Sequence, residues 1–391
     1  MKRINLFFIQ IVVFLSFTAA GQTIVSTETE NITPVIFDFT GIHCVSCPNA
    51  HLAIEVAKEH YPQVVALTFH TGNYAAPNPG EPDFRTIQGD SLVNNFAYWD
   101  PIDNIYKVVW SYPTVCLNGT GVKNNVVNDT NLFLQKVSEV INEEAIVNVG
   151  AIAYVDTLKR KIKIEVECYY TASASDSNYL TVSLTQNGLK STQAGAGEDY
   201  VHKEMFRQYI SNVWGDTLGI PEEGDLIQKT YSLNLPDSIK YHDSDAIELI
   251  LRNIQIQTFI TGNDTLTTAY DFFGNAFKNR RAFDILNGTN AAIEFVDLQG
   301  VYSLNNKPAL VVFPNPAKQF LYVDLLSDIS GNGDIKADVL NIEGHLIRQV
   351  NLLSTDKESN YYIPLKGLKS GMYLLHLHGD RIYSTTRFVI E

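Results

Sequence analysis

Two patterns of apolar and polar positions divide the chain, and the change falls near residue 148. Before this point, short apolar runs alternate with stretches in which apolar residues recur at helical spacing. Strands are predicted at residues 35–40, 64–69 and 114–117, and helices at residues 49–60 and 130–143. Because this order of strands and helices favours parallel pairing, we expect residues 23–147 to form an α/β domain.

Residues 148–300 contain β-rich runs and no helical pattern. In residues 161–167, Lys and Glu alternate with Ile and Val, which is typical of a half-buried strand. Further strands are predicted at residues 151–155, 179–184, 227–235, 247–259 and 291–297. Many strands without helices indicate an all-β sandwich domain.

The last part of the chain contains a third predicted unit. Residues 301–310 are expected to be a linker, and residues 311–391 contain short apolar runs separated by turn residues. This pattern predicts a small C-terminal β-sandwich.

The first residues have the organisation of a signal peptide. Lys2 and Arg3 form a basic start, and residues 6–17 form an apolar segment that is too short to span a bilayer. Small residues follow, and we expect cleavage after Gly21, which removes residues 1–21. The sequence therefore predicts an exported protein.

The charge of the chain limits the classes of partner that are expected, and its cysteine content bears on disulfide formation after export. The chain carries 29 basic and 43 acidic side chains, for a formal net charge of −14. Nucleic-acid binders need basic patches that release counterions, so no nucleic-acid partner is expected. Among the four cysteines, Cys44 and Cys47 are the obvious disulfide pair in an exported protein. Cys116 and Cys168 are expected to be buried as small apolar residues.

The motif Cys-Val-Ser-Cys at residues 44–47 is the strongest chemical signal in the sequence. It lies between a predicted strand and a predicted helix, where unpaired N–H groups and the helix dipole favour a thiolate. Asp38 lies on the strand, six residues before Cys44. Much later in the chain, Tyr112 and Pro113 precede another predicted strand.

These residues resemble the thioredoxin pattern over residues 33–145. The resemblance implies that Cys44 is the exposed attacking thiol, that Cys47 resolves the mixed disulfide, and that Asp38 relays a proton to Cys47. It also implies that Pro113 is a cis-proline that packs against the disulfide.

The same resemblance suggests where a substrate would bind. Tyr112 would contact the substrate together with Pro113, and His43 would lie beside it. A protonated His43 would also favour the Cys44 thiolate. The sequence departs from thioredoxins at His43, where Trp is usual, and at Pro48.

Two other interpretations of the cysteine pair stay open. The disulfide could be a static cross-link, which is common in exported proteins. Alternatively, thiolates and imidazoles could bind Cu(I) or Zn. The residues of that alternative are His43, Cys44, Cys47, His51 and His70. The predicted fold requires no cofactor.

The C-terminal unit resembles the sorting domain of type IX secretion substrates in Bacteroidetes. The matching features are Pro-Asn-Pro-Ala at residues 314–317, Leu-x-x-Gly-x-Tyr at residues 368–373, and the basic residue Arg387. The resemblance implies that residues 311–391 contact the type IX secretion machinery. It also implies that the protein is secreted or attached to the outer surface of the cell.

The preceding part resembles the twenty-eight-kilodalton outer-membrane-protein family of Bacteroidetes. Residues 39–48 match its Phe-Thr-Gly-x-x-Cys-x-x-Cys-Pro start, and residues 200–215 match its second half. The family implies an α/β thioredoxin-like half followed by a β-sandwich half. Two functions follow as alternatives: a thiol-disulfide oxidoreductase that acts on extracytoplasmic proteins, or a non-enzymatic adhesion protein that binds host or surface ligands.

Overall fold

The structure is a computed structural model that describes residues 24–296, 310–325, 335–341, 345–352, 360–379 and 382–391. The predicted signal peptide and all but the last residue of the predicted linker lie outside these ranges. The described helices are α1 Cys47–His60, α2 Gly72–Ala75, α3 Ile87–Val93, α4 Asn124–Val127 and α5 Thr130–Ile141. None of them is long and apolar enough to cross a membrane.

Most of the described chain is extended, with 50% of residues in strands and 14% in helices. The strands before residue 297 are β1 Val35–Thr40, β2 Val65–His70, β3 Tyr98–Asp100, β4 Ile105–Lys107, β5 Thr114–Leu117, β6 Thr120–Val122, β7 Val147–Asp156, β8 Lys161–Tyr170, β9 Asn178–Gln186, β10 Leu189–Gln193, β11 Gly197–His202, β12 Met205–Tyr209, β13 Asp216–Gly219, β14 Leu226–Asn234, β15 Ser238–Ile239, β16 Ile247–Glu248, β17 Ile254–Tyr270, β18 Ala276–Asn290 and β19 Ala292–Phe295. The strands after residue 309 are β20 Leu310–Phe313, β21 Phe320–Leu325, β22 Ile335–Asn341, β23 Leu346–Leu352, β24 Asn360–Pro364, β25 Gly371–Gly379 and β26 Ile382–Ile390.

One large sheet connects the early and late parts of the chain. Its eleven strands follow the order β13-β9-β12-β2-β1-β5-β6-β3-β4-β17-β18, and β9 also pairs with β17. Strands β1 and β2 are parallel and are connected through α1, as the order of the predicted elements indicates. Strand β5 then pairs antiparallel with β1 on its other side.

The prediction of an α/β thioredoxin-like N-terminal domain is wrong. Strands β1, β2, β5 and β6 belong to the same sheet as five strands from residues 178–290. The physical reason is the aromatic core on one face of this sheet, where Phe37 and Phe69 pack against Phe206 and Phe259. The early strands bury this apolar face only with side chains from the later part of the chain.

Other strands form smaller sheets outside the large sheet. A four-stranded sheet in the order β14-β8-β7-β19 packs its apolar side chains against those of β9 and β17, including Leu180, Val182 and Ile256. Strands β10 and β11 form a separate two-stranded hairpin. The described C-terminal residues form sheets β20-β21-β24 and β23-β22-β25-β26, so this unit is β as expected.

Candidate redox site

The structure joins Cys44 and Cys47 by a disulfide, with 5.4 Å between their Cα atoms. Strand β1 leads into the loop that carries Cys44, and α1 begins at Cys47. Pro48 occupies the first turn of α1, where its missing N–H costs no helical hydrogen bond. This arrangement places the second sulfur at a helix N-terminus, where a thiolate is favoured.

The expectation that Cys44 is exposed is wrong for this disulfide form. Cys44 is 2% exposed and Cys47 is 0% exposed, although Val45 between them is 72% exposed. The hairpin β10–β11 lies on the loop and contributes Gln193, whose side-chain amide donates to the backbone oxygens of Gly41 and Cys44. Both cysteines are therefore buried, and a hairpin about 150 residues further along the chain contacts the backbone of their loop.

Asp38 is fully buried on β1 and faces a polar environment. Neither of its carboxylate oxygens accepts a hydrogen bond from the part of the chain that the structure describes. The nearest basic side chain is that of His51 on α1, whose Nε2 lies 3.3 Å from Asp38 Oδ2. A buried carboxylate costs several kcal/mol unless it is paired, so this contact is its main compensation.

His51 connects Asp38 to the hairpin. Its Nε2 lies 3.1 Å from Thr40 Oγ1, and its Nδ1 lies 2.8 Å from the hydroxyl of Tyr200 on β11. Burial, together with the charges of Asp38 and Glu55, raises the pKa of Tyr200 to about 12, so its hydroxyl keeps its proton. The Tyr200 hydroxyl can therefore donate to Nδ1, which leaves a proton on Nε2, the atom that faces Thr40 Oγ1 and Asp38.

Two further histidines lie close to this group. The rings of His70 on β2 and His202 on β11 are 5.3 Å apart, and both contact the ring of Phe84. Burial lowers the pKa of His70 well below its usual value. Burial first, and then the charge of His51, lowers the pKa of His202 to about 4. Both imidazoles are therefore neutral near pH 7.

The predicted substrate-side residues have different side-chain partners. Tyr112 and Pro113 are joined by a cis peptide bond at the start of β5, and the Tyr112 hydroxyl lies 3.0 Å from Thr71 Oγ1. Burial raises the pKa of Tyr112. The His43 ring is instead held by Glu81, with 2.8 Å between Nε2 and Oε2.

The residues of the metal alternative also have different partners. His43 contacts Glu81, His51 contacts Asp38 and Tyr200, and His70 packs against His202, while both cysteines are in the disulfide. Across the described ranges, no group of three or more His, Cys, Asp or Glu side chains is arranged to hold a metal ion.

The two remaining cysteines are buried and unpaired with each other. Cys116 lies in the aromatic core, and Cys168 lies in the core of the four-stranded sheet. Burial raises the pKa of both thiols, that of Cys168 to about 12. Neither is a thiolate near neutral pH, which leaves Cys44 and Cys47 as the candidate redox pair.

Sequence reasoning missed part of this site. His51 was considered only as a metal ligand, and no local signal pointed to Tyr200 or Gln193, because they lie about 150 residues further along the chain. The structure brings Asp38 and His51 together because β1 and α1 are consecutive elements. Only the position of the β10–β11 hairpin adds the other two.

Comparison with known proteins supports both resemblances. Residues 100–257 match the family of outer membrane protein Omp28, and residues 311–391 match the secretion system C-terminal sorting domain. The recognition made from the motifs is thereby confirmed. The Omp28 match begins after the disulfide, so it carries no information on Cys44 and Cys47. No match was found among curated proteins.

Comparison with solved structures gives matches of very different strength. HBP35 of Porphyromonas gingivalis is similar with a TM-score of 0.50 and 14% identity, over 93% of this chain and 99% of that chain. A red sea bream transglutaminase has a TM-score of 0.22 and 10% identity, over 74% of this chain and 40% of that chain. Dimeric latent PorU from Porphyromonas gingivalis has a TM-score of 0.18 and 10% identity, over 61% of this chain and 18% of that chain.

These findings define the class of the protein. It is a secreted or cell-surface protein with a type IX sorting domain at residues 311–391, and its residues 100–257 are similar to the Omp28 outer membrane proteins. The sorting domain implies an interaction with the type IX secretion machinery.

Proposed function

We propose that this protein exchanges disulfides with extracytoplasmic proteins through Cys44 and Cys47. The observation that carries the proposal is the buried Asp38 carboxylate, which contacts His51 one helical turn after Cys47. A static cross-link does not need a buried ionisable group on the adjoining strand, and burying one costs several kcal/mol. Such costly groups are concentrated at functional sites.

The proposed reaction is a two-step exchange. In the reduced protein, the Cys44 thiolate attacks a substrate disulfide, and one substrate sulfur leaves as a thiolate. The Cys47 thiolate then attacks the sulfur of Cys44, which releases the second substrate thiolate and forms the Cys44–Cys47 disulfide. Two electrons pass from the protein to the substrate. Asp38 and His51 accept the proton from Cys47.

The reduction potential of the Cys44–Cys47 pair tests this proposal. We expect a value of roughly −120 to −270 mV after equilibration of the full chain in glutathione buffers, which is the range of exchange catalysts. Replacement of Cys44 by Ser should abolish reduction of a disulfide substrate such as insulin, whereas Cys168→Ser should retain it. A potential below about −300 mV would identify a structural disulfide.

A second candidate function, adhesion, is favoured by an exposed aromatic patch. Phe272 and Phe273 are 83% and 72% exposed, and the ring of Trp110, 49% exposed, lies 5.9 Å from that of Phe273. Exposed apolar patches often mark binding surfaces. We expect the double variant Phe272→Ala and Phe273→Ala to reduce attachment of protein-coated beads to host cells. The equally exposed Leu158→Ala is the control, and unchanged attachment of the double variant would contradict this candidate.

Export through the sorting domain has its own experiment. Deletion of residues 311–391 should leave the protein in the periplasm, because the segment that the secretion machinery recognises is missing. Surface display of the truncated chain, measured by protease accessibility of whole cells, would contradict this expectation.

A further inference from the structure

The hairpin β10–β11 lies outside the large sheet and covers the disulfide loop. Its two strands pair only with each other, and the turn between them spans residues 194–196. Ala194 N donates to Ile42 O over 2.7 Å. The turn therefore contacts the loop residues immediately before Cys44.

Two residues of the hairpin are shaped for this contact. The side chain of Gln193 is fully buried, and its Nε2 donates to Gly41 O over 3.1 Å and to Cys44 O over 3.0 Å. Gly195 has a φ of +85°, and a Cβ at this position would lie 2.3 Å from Val45 O. A side chain at residue 195 would therefore push the turn away from the loop.

The far end of the hairpin is also attached near the site. Tyr200 on β11 holds His51, and Lys203, just after β11, forms an ion pair with Glu55 on α1. Between these attachments most hairpin residues are partly or fully exposed. A two-stranded hairpin has little stability of its own, so it can open locally without unfolding of the core.

We propose that the β10–β11 hairpin is a gate over the Cys44–Cys47 disulfide, held closed by Gln193 and Gly195. Exchange requires a sulfur nucleophile to reach a disulfide sulfur, and both cysteines are buried while the hairpin contacts their loop. The gate deepens the proposed function, since it regulates access to the same site. A partner thiol must displace the contacts between the hairpin and the loop before it can reduce the disulfide.

The rate at which a phosphine reductant opens the disulfide tests the gate. The folded full chain is treated with tris(2-carboxyethyl)phosphine, and thiols are counted over time by maleimide–polyethylene glycol labelling in denaturant. Cys116 and Cys168 provide a constant background of two thiols. We expect Gln193→Ala to be reduced about tenfold faster or more, because two hydrogen bonds that hold the gate are lost.

Lys190→Ala is the matched control, because Lys190 is an exposed residue of the same hairpin without a role in the contact. It should be reduced at the wild-type rate. If Gln193→Ala does not fold, as judged by circular dichroism, Gly195→Ala replaces it, with the same expected acceleration. An unchanged rate in a folded Gln193→Ala or Gly195→Ala protein would overturn the gate.

The reduction rate and the reduction potential test the gate and the redox proposal separately. Faster reduction of the Gln193 variant together with a potential below about −300 mV would retain the gate and refute the oxidoreductase. A catalytic potential with equal reduction rates in all variants would retain the oxidoreductase and refute the gate.

Discussion

The last four residues of strand β1 have opposite chemistry on its two faces, although every residue of the strand is buried. On one face, Phe37 and Phe39 contact Phe69 of β2, with 5.4 Å between ring centroids in each pair. On the other face lie Asp38 and Thr40, opposite Thr68 and His70 of β2. Neighbouring residues of one strand therefore pack into an apolar core on one face and a polar cluster on the other.

The difference shows which face stabilises the fold and which face is available for chemistry. Burial of aromatic rings stabilises the folded chain through loss of water contact and close packing. Burial of a carboxylate or a neutral imidazole destabilises the folded chain unless the group is paired. We therefore expect substitutions on the aromatic face to affect stability most, and substitutions on the polar face to affect reactivity most.

The largest effect should come from the aromatic face. Phe37→Ala leaves a cavity among four other rings, and we expect a loss of about 3–5 kcal/mol in the free energy of unfolding. Urea unfolding followed by circular dichroism measures it. Phe272→Ala, at an exposed position, should change the free energy by about 0.5 kcal/mol or less. Equal losses in both variants would contradict the stabilising role of the aromatic face.

The next effect concerns pH and the polar cluster. The pKa of His202 is about 4 in the folded protein against its usual 6.5, so the unfolded chain binds more protons as the pH falls from 6.5 to 4. The contribution of His202 to the free energy of unfolding is therefore fully present above pH 6.5. It decreases below this pH, and the loss from His202 alone is about 2 kcal/mol at pH 5. His70 acts in the same direction.

Urea unfolding at pH 7 and pH 5 measures this loss. The variant His202→Gln should lose less stability between the two pH values than the wild-type protein, because residue 202 then has no proton to bind. An identical loss in both proteins would show that His202 does not contribute.

Asp38→Asn should have a smaller effect of opposite sign. The substitution removes a buried charge, and an amide oxygen at this position can keep the contact with His51 Nε2, so the free energy of unfolding should rise by about 1 kcal/mol. The rate of disulfide exchange should fall at the same time, because the proton acceptor is missing. A decrease in stability would assign Asp38 a structural role.

Asp83→Asn is the matched control for Asp38. Asp83 is also buried, but it accepts hydrogen bonds from Arg85 Nε over 2.9 Å and from Arg85 Nη2 over 2.7 Å. Its neutralisation leaves a guanidinium with a weaker partner, so we expect a loss of about 1–3 kcal/mol.

Tyr200→Phe should change stability much less than Phe37→Ala. It removes one hydrogen bond to His51 and keeps the ring, which corresponds to about 0.5–1 kcal/mol. We expect the pH profile of exchange to shift, because the orientation and tautomer of His51 are no longer held. An unchanged profile would separate Tyr200 from the chemistry of the site.

Several parts of the site are predictable from sequence because they are local. The cysteine spacing, the strand before it and the helix after it lie within 26 residues, and their order leads to parallel pairing of β1 and β2. The cysteine pair is found as a disulfide. The roles assigned to Asp38, Pro113 and Tyr112 in exchange stay predictions.

The prediction of a separate α/β domain rests on local sequence patterns alone. It is wrong for a physical reason. The apolar run of β1 indicates burial on both faces but not which residues provide it. Phe206 and Phe259 provide much of it from more than 160 residues away. No periodicity in residues 23–147 carries that information.

The sequence by itself determined the export class, the sorting domain, the cysteine pair and the strand–helix–strand segment around it, because each depends on residues close together in the chain. Only the tertiary structure decided that the early strands share a sheet with late ones, that His51 meets Asp38 and Tyr200, and that a hairpin covers the disulfide. Those features depend on contacts between distant segments, whose free energy comes from joint burial and which leave no periodic trace in either segment.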